Sequence, residues 1–239
     1  PRMAEQFDAV WVGVEIRNPE TQRMGFVQPT QGYMNYRWLT SVIGEKKVEA
    51  AWFDHIECTG QNFVDQAWQS VLAGARELIL FNLFDVAQGH PGHDLFIKAL
   101  PGLRDTARRV QGKPIEGVAF YKPPSSDPGS DRFLMDYLGM LGIPVVPVAE
   151  YPSKSRTVIL GVQASHDPNL MAKVAAHMKS GARIAMTSSL REKIQAPKGV
   201  IPIDLRTFTE QDYLDTGEWL LPPKRIPWLD MDRAQVDAL

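Results

Sequence analysis

Three acids stand where an apolar run gives out. Glu15 closes the run DAVWVGVE, while Asp54 and Glu57 follow the run Val48 to Phe53 in KVEAAWFDHIEC. Carboxylates in such positions can act as proton donors, proton acceptors or nucleophiles. A competing reading is structural, in which acids at strand ends cap helices or pair with Arg17 or Arg37. Both readings require that the apolar runs be strands.

Val48 to Phe53, an apolar run but for Glu49, has the length of a buried parallel strand. Thr59 is placed to cap a helix in which Phe63, Val64, Ala67, Trp68, Val71 and Leu72 recur at helical spacing. Gly74 stops that helix, and Glu77 to Phe81 follows as another strand. Upstream, Asp8 to Glu15 reads as a strand, the segment to about Pro29 as a long loop, and Tyr33 to Ile43 as a helix ended by Gly44. Strands separated by helices argue for a parallel βαβ arrangement. In such units ligands gather beyond the carboxyl ends of the strands, where all three acids fall. The turn-rich stretch Asn82 to Asp94 is expected to be a loop, followed by a helix from about Leu95 to Val110 that Pro101 interrupts or delays.

Gly112, Lys113 and Pro114 mark a boundary, and a second alternation begins. Strands are expected at Ile115 to Phe120, Val145 to Val148, Thr157 to Val162, Arg183 to Met186 and Ile201 to Phe208. Ser130 or Asp131 is expected to cap a helix through Leu141, and Asp167-Pro168 to open another that Gly181 closes. This pattern predicts a flavodoxin-like or Rossmann-like sheet. The segment LLPPKRIPWLD reads as a linker. The domains expected are therefore 1–112, 113–208 and a tail or linker at 209–239.

Composition narrows the partners. The chain has 239 residues, a formal net charge of -2 and one cysteine, Cys58. So even a charge balance gives no electrostatic footprint for nucleic acid or an anionic membrane, and no apolar run is long enough to span a bilayer. One cysteine excludes an intrachain disulfide framework and leaves the compartment open. The first residue is Pro1, which suggests processing or truncation.

The order of strand, acid, helix with Gln and Trp, Ala-Gly, strand ending in Phe, then a Gly/His loop and a helix resembles the carboxyl-terminal part of a (β/α)8-barrel glycoside hydrolase. The nearest likeness is to the beta-galactosidase family in which the barrel precedes a trimerisation domain of glutamine-amidotransferase-like fold. EAAWFDH is similar to that family's seventh strand, whose apolar run ends in the nucleophile glutamate, and AWQSVLAGARELILF to the helix and eighth strand that follow. Ile115 to about Ser188 looks like the amidotransferase-like domain.

The resemblance implies an α/β chain comprising the last three strand-helix units of a barrel and a class I amidotransferase-like parallel sheet. It implies a retaining two-carboxylate mechanism on O-glycosidic bonds, with Asp54 at the nucleophile position and Glu57 or Glu15 as further catalytic candidates. Trp52, His55, Arg17, Asn82 and His90 are the candidates for substrate binding. This chain has Asp where the family has Glu, and the fourth strand that carries the family's general acid is missing, so the chain is expected to be incomplete as an enzyme. The partners implied are a carbohydrate and further copies of the chain. The competing function is a non-enzymatic carbohydrate-binding or oligomerisation module.

Other chemistries find less support. Trp11, Trp52, Phe53 and Trp68 could stack on a sugar, but such residues more often form core. His55, His90 and His93 with Asp94 do not make up a metal-ligand set, and no cofactor is expected. The second half has no cysteine, so Cys-His-Glu chemistry lacks its thiolate, and His166 and His177 have no nucleophile to serve. The loop YKPPSSDPGSD lacks a phosphate-binding glycine signature. A parallel set of only three strands also leaves unpaired edges and an apolar flank.

Overall fold

The computed structural model describes residues 6–18, 29–205 and 229–230. The chain is α/β, with parallel sheets, and divides into two compact units between Ile115 and Glu116.

The first unit contains β1 (Val10–Gly13), α1 (Gln31–Ile43), β2 (Val48–Phe53), α2 (Gly60–Leu72), β3 (Glu77–Leu80), α3 (Leu83–Ala87) and α4 (Gly92–Val110). Its three strands are parallel in the order β1-β2-β3, with Val12 beside Ala51 and Phe53 beside Leu80. β2 is the central strand, and its Val48, Ala50, Ala51 and Phe53 are buried, as a strand covered on both faces demands.

The helices lie on one face of this sheet. Val12, Val14 and Ala51 pack against Tyr36 of α1, and Phe53 packs against Phe63 and Ala67 of α2 and Leu103 of α4. Gly32 allows the first turn of α1 to approach β1, because a Cβ there would stand 2.6 Å from Val14 Cα. Side chains alternate along a strand, so Trp11 and Trp52 point to the other face. Trp52 lies across Gly13, and Trp11 is 56% exposed. Phe81, Leu83 and Phe84, beyond edge strand β3, are exposed as well.

The start of α2 follows its sequence signal. The Thr59 hydroxyl accepts from Asn62 N, and Asn62 Oδ1 accepts from Thr59 N, both at 3.1 Å, forming a capping box. The region after β3 departs from expectation. Asn82 to Asp94 is not all loop, since α3 forms within it and α4 begins at Gly92 rather than Leu95. Nor does Pro101 interrupt α4. Both Pro101 and Ile97 are exposed, so the carbonyl that loses its helical donor can turn to water.

The second unit contains β4 (Val118–Tyr121), a 3-10 turn (Gly129–Asp131), α5 (Leu134–Met140), β5 (Val145–Val148), β6 (Thr157–Leu160), a 3-10 turn (Val162–His166), α6 (Leu170–Lys179), β7 (Arg183–Thr187), α7 (Ser188–Lys193), β8 (Ile201–Leu205) and β9 (Leu229–Asp230). The sheet order is β5-β4-β6-β7-β8-β9, parallel throughout except for the last pair. Strand β4 starts at Val118 rather than Ile115, and Gly117 just before it is pressed against Pro144, whose carbonyl oxygen would lie 1.9 Å from a Cβ.

Asp131 does not cap α5. It lies two residues before the helix's own N-cap, and its carboxylate is turned to Val162 N and Thr187 Oγ1. Helix α7 and strand β9 carry too few periodic residues to be seen in the sequence, and β9 is formed by the last two residues of the stretch LLPPKRIPWLD, which the sequence reads as a linker. Residues 206–208 of the strand expected to reach Phe208 lie outside the described residues.

Candidate functional site

The acids of the first unit converge on one arginine. Asp54 follows the last residue of β2 and is 4% exposed, while Glu15 and Arg17 follow β1. Arg17 Nη1 donates to Asp54 Oδ1 at 2.9 Å and Nη2 to Oδ2 at 3.1 Å, a bidentate pair inside the protein. Nη2 also faces Glu15 Oε2 at 3.1 Å. The two carboxylate oxygens therefore lie within two hydrogen-bond lengths of each other, with one guanidinium between them.

The neighbouring backbone completes this arrangement. Ile56 N donates to Asp54 Oδ1 at 2.8 Å. Gln66, fully buried on α2, accepts from Ile16 N at 3.0 Å and donates to Asp54 O at 2.8 Å, joining the ends of β1 and β2. Asn18 N donates to Glu57 O at 2.7 Å, tying the two strand-end loops together. Glu57 takes a left-handed backbone with φ of +50° to make that turn.

Charge accounts for the clamp. Burial works against the Arg17 cation, but Asp54 first and Glu15 after it outweigh burial and hold its pKa above the ordinary value. An acid as buried as Asp54 is tolerable only with such a partner. Glu15 differs, because 29% of its side chain is exposed. Of the two carboxylates on Arg17, it is the one a solute can reach.

Cys58 closes the floor of the cluster. Its thiol donates to Ile16 O at 2.9 Å, and Arg17 Nη1 lies 3.8 Å from the sulfur. Burial pushes its pKa up to about 11 against the pull of Arg17, so it remains a thiol rather than a nucleophilic thiolate.

The substrate-binding candidates are less unified. Trp52 lies on the face to which alternation also turns Asp54. His90 is fully engaged: its Nδ1 accepts from Gly92 N at 3.1 Å, so Nε2 carries the proton and donates to Cys58 O at 3.1 Å. His55 packs edge-on against the His90 ring at 5.4 Å, and its buried Nδ1 has no hydrogen-bond partner among the described residues. Asn82 adopts a left-handed backbone and donates to Asp85. Of the four aromatic candidates, Phe53 is wholly core and Trp68 packs over Gly102 of α4, so they make no common platform.

Gln66 was not singled out as a site residue by its type. The available signal was positional, since it shares the inward face of α2 with Phe63, Ala67 and Ser70, where a buried amide must find partners. Among the described residues there is no group of three or more side chains able to hold a metal ion, and no helix is long and apolar enough to cross a membrane.

The strand ends of the second unit are organised differently. Asp131, 3% exposed, accepts from Val162 N at 2.6 Å and Thr187 Oγ1 at 2.7 Å. Asp167 accepts from Tyr121 Oη at 2.9 Å and Lys173 Nζ at 2.7 Å. Burial tends to raise the Asp167 pKa, but Lys173 and the Asn169 N–H prevail and lower it. His177 is buried beside Tyr151, with Oη and Nδ1 3.3 Å apart.

Residues 2–93 match the family model described as "Probable glycosyl hydrolase, catalytic domain". Residues 113–215 match the model described as "Uncharacterized protein SSO3021, second domain". The first unit is thus glycosyl hydrolase-like. No match is found among the curated proteins or the solved structures.

Proposed function

We propose that the first unit contributes the Glu15–Arg17–Asp54 cluster to a beta-galactosidase-like, retaining glycosidase site, with Glu15 as the carboxylate that meets the sugar. The observation that carries this reading is the single guanidinium shared by both acids, 3.1 Å from an oxygen of each. Asp54 is in this reading a positioning residue that fixes Arg17, while Arg17 orients Glu15 through the 3.1 Å ion pair. Trp52 and His55, at the same strand end, form the adjoining wall. The general acid comes from outside the described residues.

Helices on one face of three parallel strands, with the acids turned to the other, suit part of a (β/α)8 barrel. Counted within the second unit, its parallel strands run 2-1-3-4-5, the flavodoxin-like order, which supports an amidotransferase-like relationship. We propose an assembly role for that unit, with homo-oligomers as the product. A size measurement by light scattering checks this, with a defined oligomer expected.

One observation favours a non-enzymatic reading: both oxygens of Asp54 are engaged by Arg17, as a purely structural clamp would require. Calorimetric titration with galactose separates the two. In the site reading Glu15→Gln weakens binding by about tenfold, the equivalent of about 1.4 kcal/mol. Unchanged affinity in a folded variant overturns the site reading and leaves the structural one.

A further inference from the structure

The second unit contains an open cavity of about 670 Å³ at the amino-terminal edge of β6 and β7, formed by the 153–156 loop, the end of α6 and the start of β7. Its lining is basic. Lys154, Arg156 and Arg183 contribute three cations, Ser153 and Ser155 add hydroxyls, and no carboxylate takes part. The backbones of Arg156 and Arg183 meet, Arg183 N donating to Arg156 O at 2.8 Å, and both residues line the cavity. Among the described residues none of the three cations has a carboxylate within ion-pairing distance.

Like charges lining one cavity repel, and a shared anion relieves that repulsion. Guanidinium groups match the oxygens of phosphate and sulfate through paired hydrogen bonds, and an ammonium supplies a further point charge. The α6 carboxyl end would by itself disfavour an anion, but its last carbonyls are already occupied. His177 O accepts from Ser180 N at 3.1 Å and from Ser180 Oγ at 2.7 Å, and Met178 O accepts from Gly181 N at 3.0 Å. We propose that this cavity binds a phosphate or sulfate group, either as the free anion or as an ester carried by a sugar.

The test is calorimetry on the full chain at low ionic strength, titrating inorganic phosphate and, separately, a hexose phosphate. Saturable binding is expected, weakened at least about tenfold by the double change Arg156→Gln and Arg183→Gln, with circular dichroism confirming the fold. Should the double variant not fold, Lys154→Gln, an exposed single change, is expected to weaken binding by about threefold. Tighter binding of the hexose phosphate identifies an ester ligand, and equal binding identifies the free anion. Heats no larger than those of sodium chloride at matched ionic strength, or unchanged binding in the folded variants, overturn the proposal.

Discussion

Both units bury an aspartate beyond the end of a parallel strand, yet they satisfy it by opposite means. Asp54 is held by a guanidinium, with Arg17 forked across both oxygens. Asp131 is held by neutral donors, a backbone N–H and the Thr187 hydroxyl, at 2.6 and 2.7 Å. The difference lies in what remains available. A neutral cradle ends with its acceptor, whereas Arg17 extends to a second acid, Glu15, that solvent can reach. A charged clamp thus carries the consequence of burial out to the surface, and a neutral one keeps it inside.

The contrast is best broken at its strongest point. Arg17→Met leaves Asp54 buried without its partner, and urea unfolding is expected to show a loss of about 3 to 5 kcal/mol. Thr187→Val removes one donor from Asp131 and also the acceptor for Leu190 N at the start of α7. The expected loss is about 1.5 to 3 kcal/mol. Equal losses in the two variants would remove the distinction between the clamps.

A third buried acid sharpens the comparison through pH. Burial raises the Asp136 carboxyl from 3.8 to about 8, with its own backbone N–H opposing. The folded state therefore keeps a proton that the unfolded chain gives up, so stability falls as pH rises from about 4 to about 8. Asp136→Asn has no such proton to lose. Its thermal midpoint is expected to lack that decline, and a decline as steep as that of the parent would contradict this assignment.

The smallest stability effect is expected at Glu15. Its pair with Arg17 is partly exposed, so Glu15→Gln is expected to cost less than about 1 kcal/mol in the same urea experiment while still weakening sugar binding. A large stability loss instead would place Glu15 with Asp54 as a structural acid.

How much was legible in the sequence varied with the range of the interaction. Strand β2 was plain because four apolar residues, Ala50 to Phe53, run into Asp54, and the start of α2 because Thr59 and Asn62 are close enough to cap locally. That Asp54 would pair with Arg17 was readable only as one alternative. The pairing depends on two strand ends meeting, which local periodicity does not encode. Gln66 was hidden for the same reason, since its partners Ile16 and Asp54 come from two other elements. Asp131 misled because it is a good capping residue by type, while its actual donors lie at Val162 and Thr187. Strand β9 could not be read at all, being two residues long and defined only by pairing with β8.

If Glu15 is the carboxylate that meets a sugar, it takes up the glycosyl group when the leaving group departs. A dinitrophenyl β-galactoside tests this directly, because so good a leaving group departs without a general acid and needs only the nucleophile. Rapid mixing followed by peptide mass mapping is expected to show a burst of dinitrophenolate and a glycosyl adduct on Glu15, both absent from Glu15→Gln. No burst, or an adduct on Asp54 or Glu57 with Glu15 unmodified, would contradict the account.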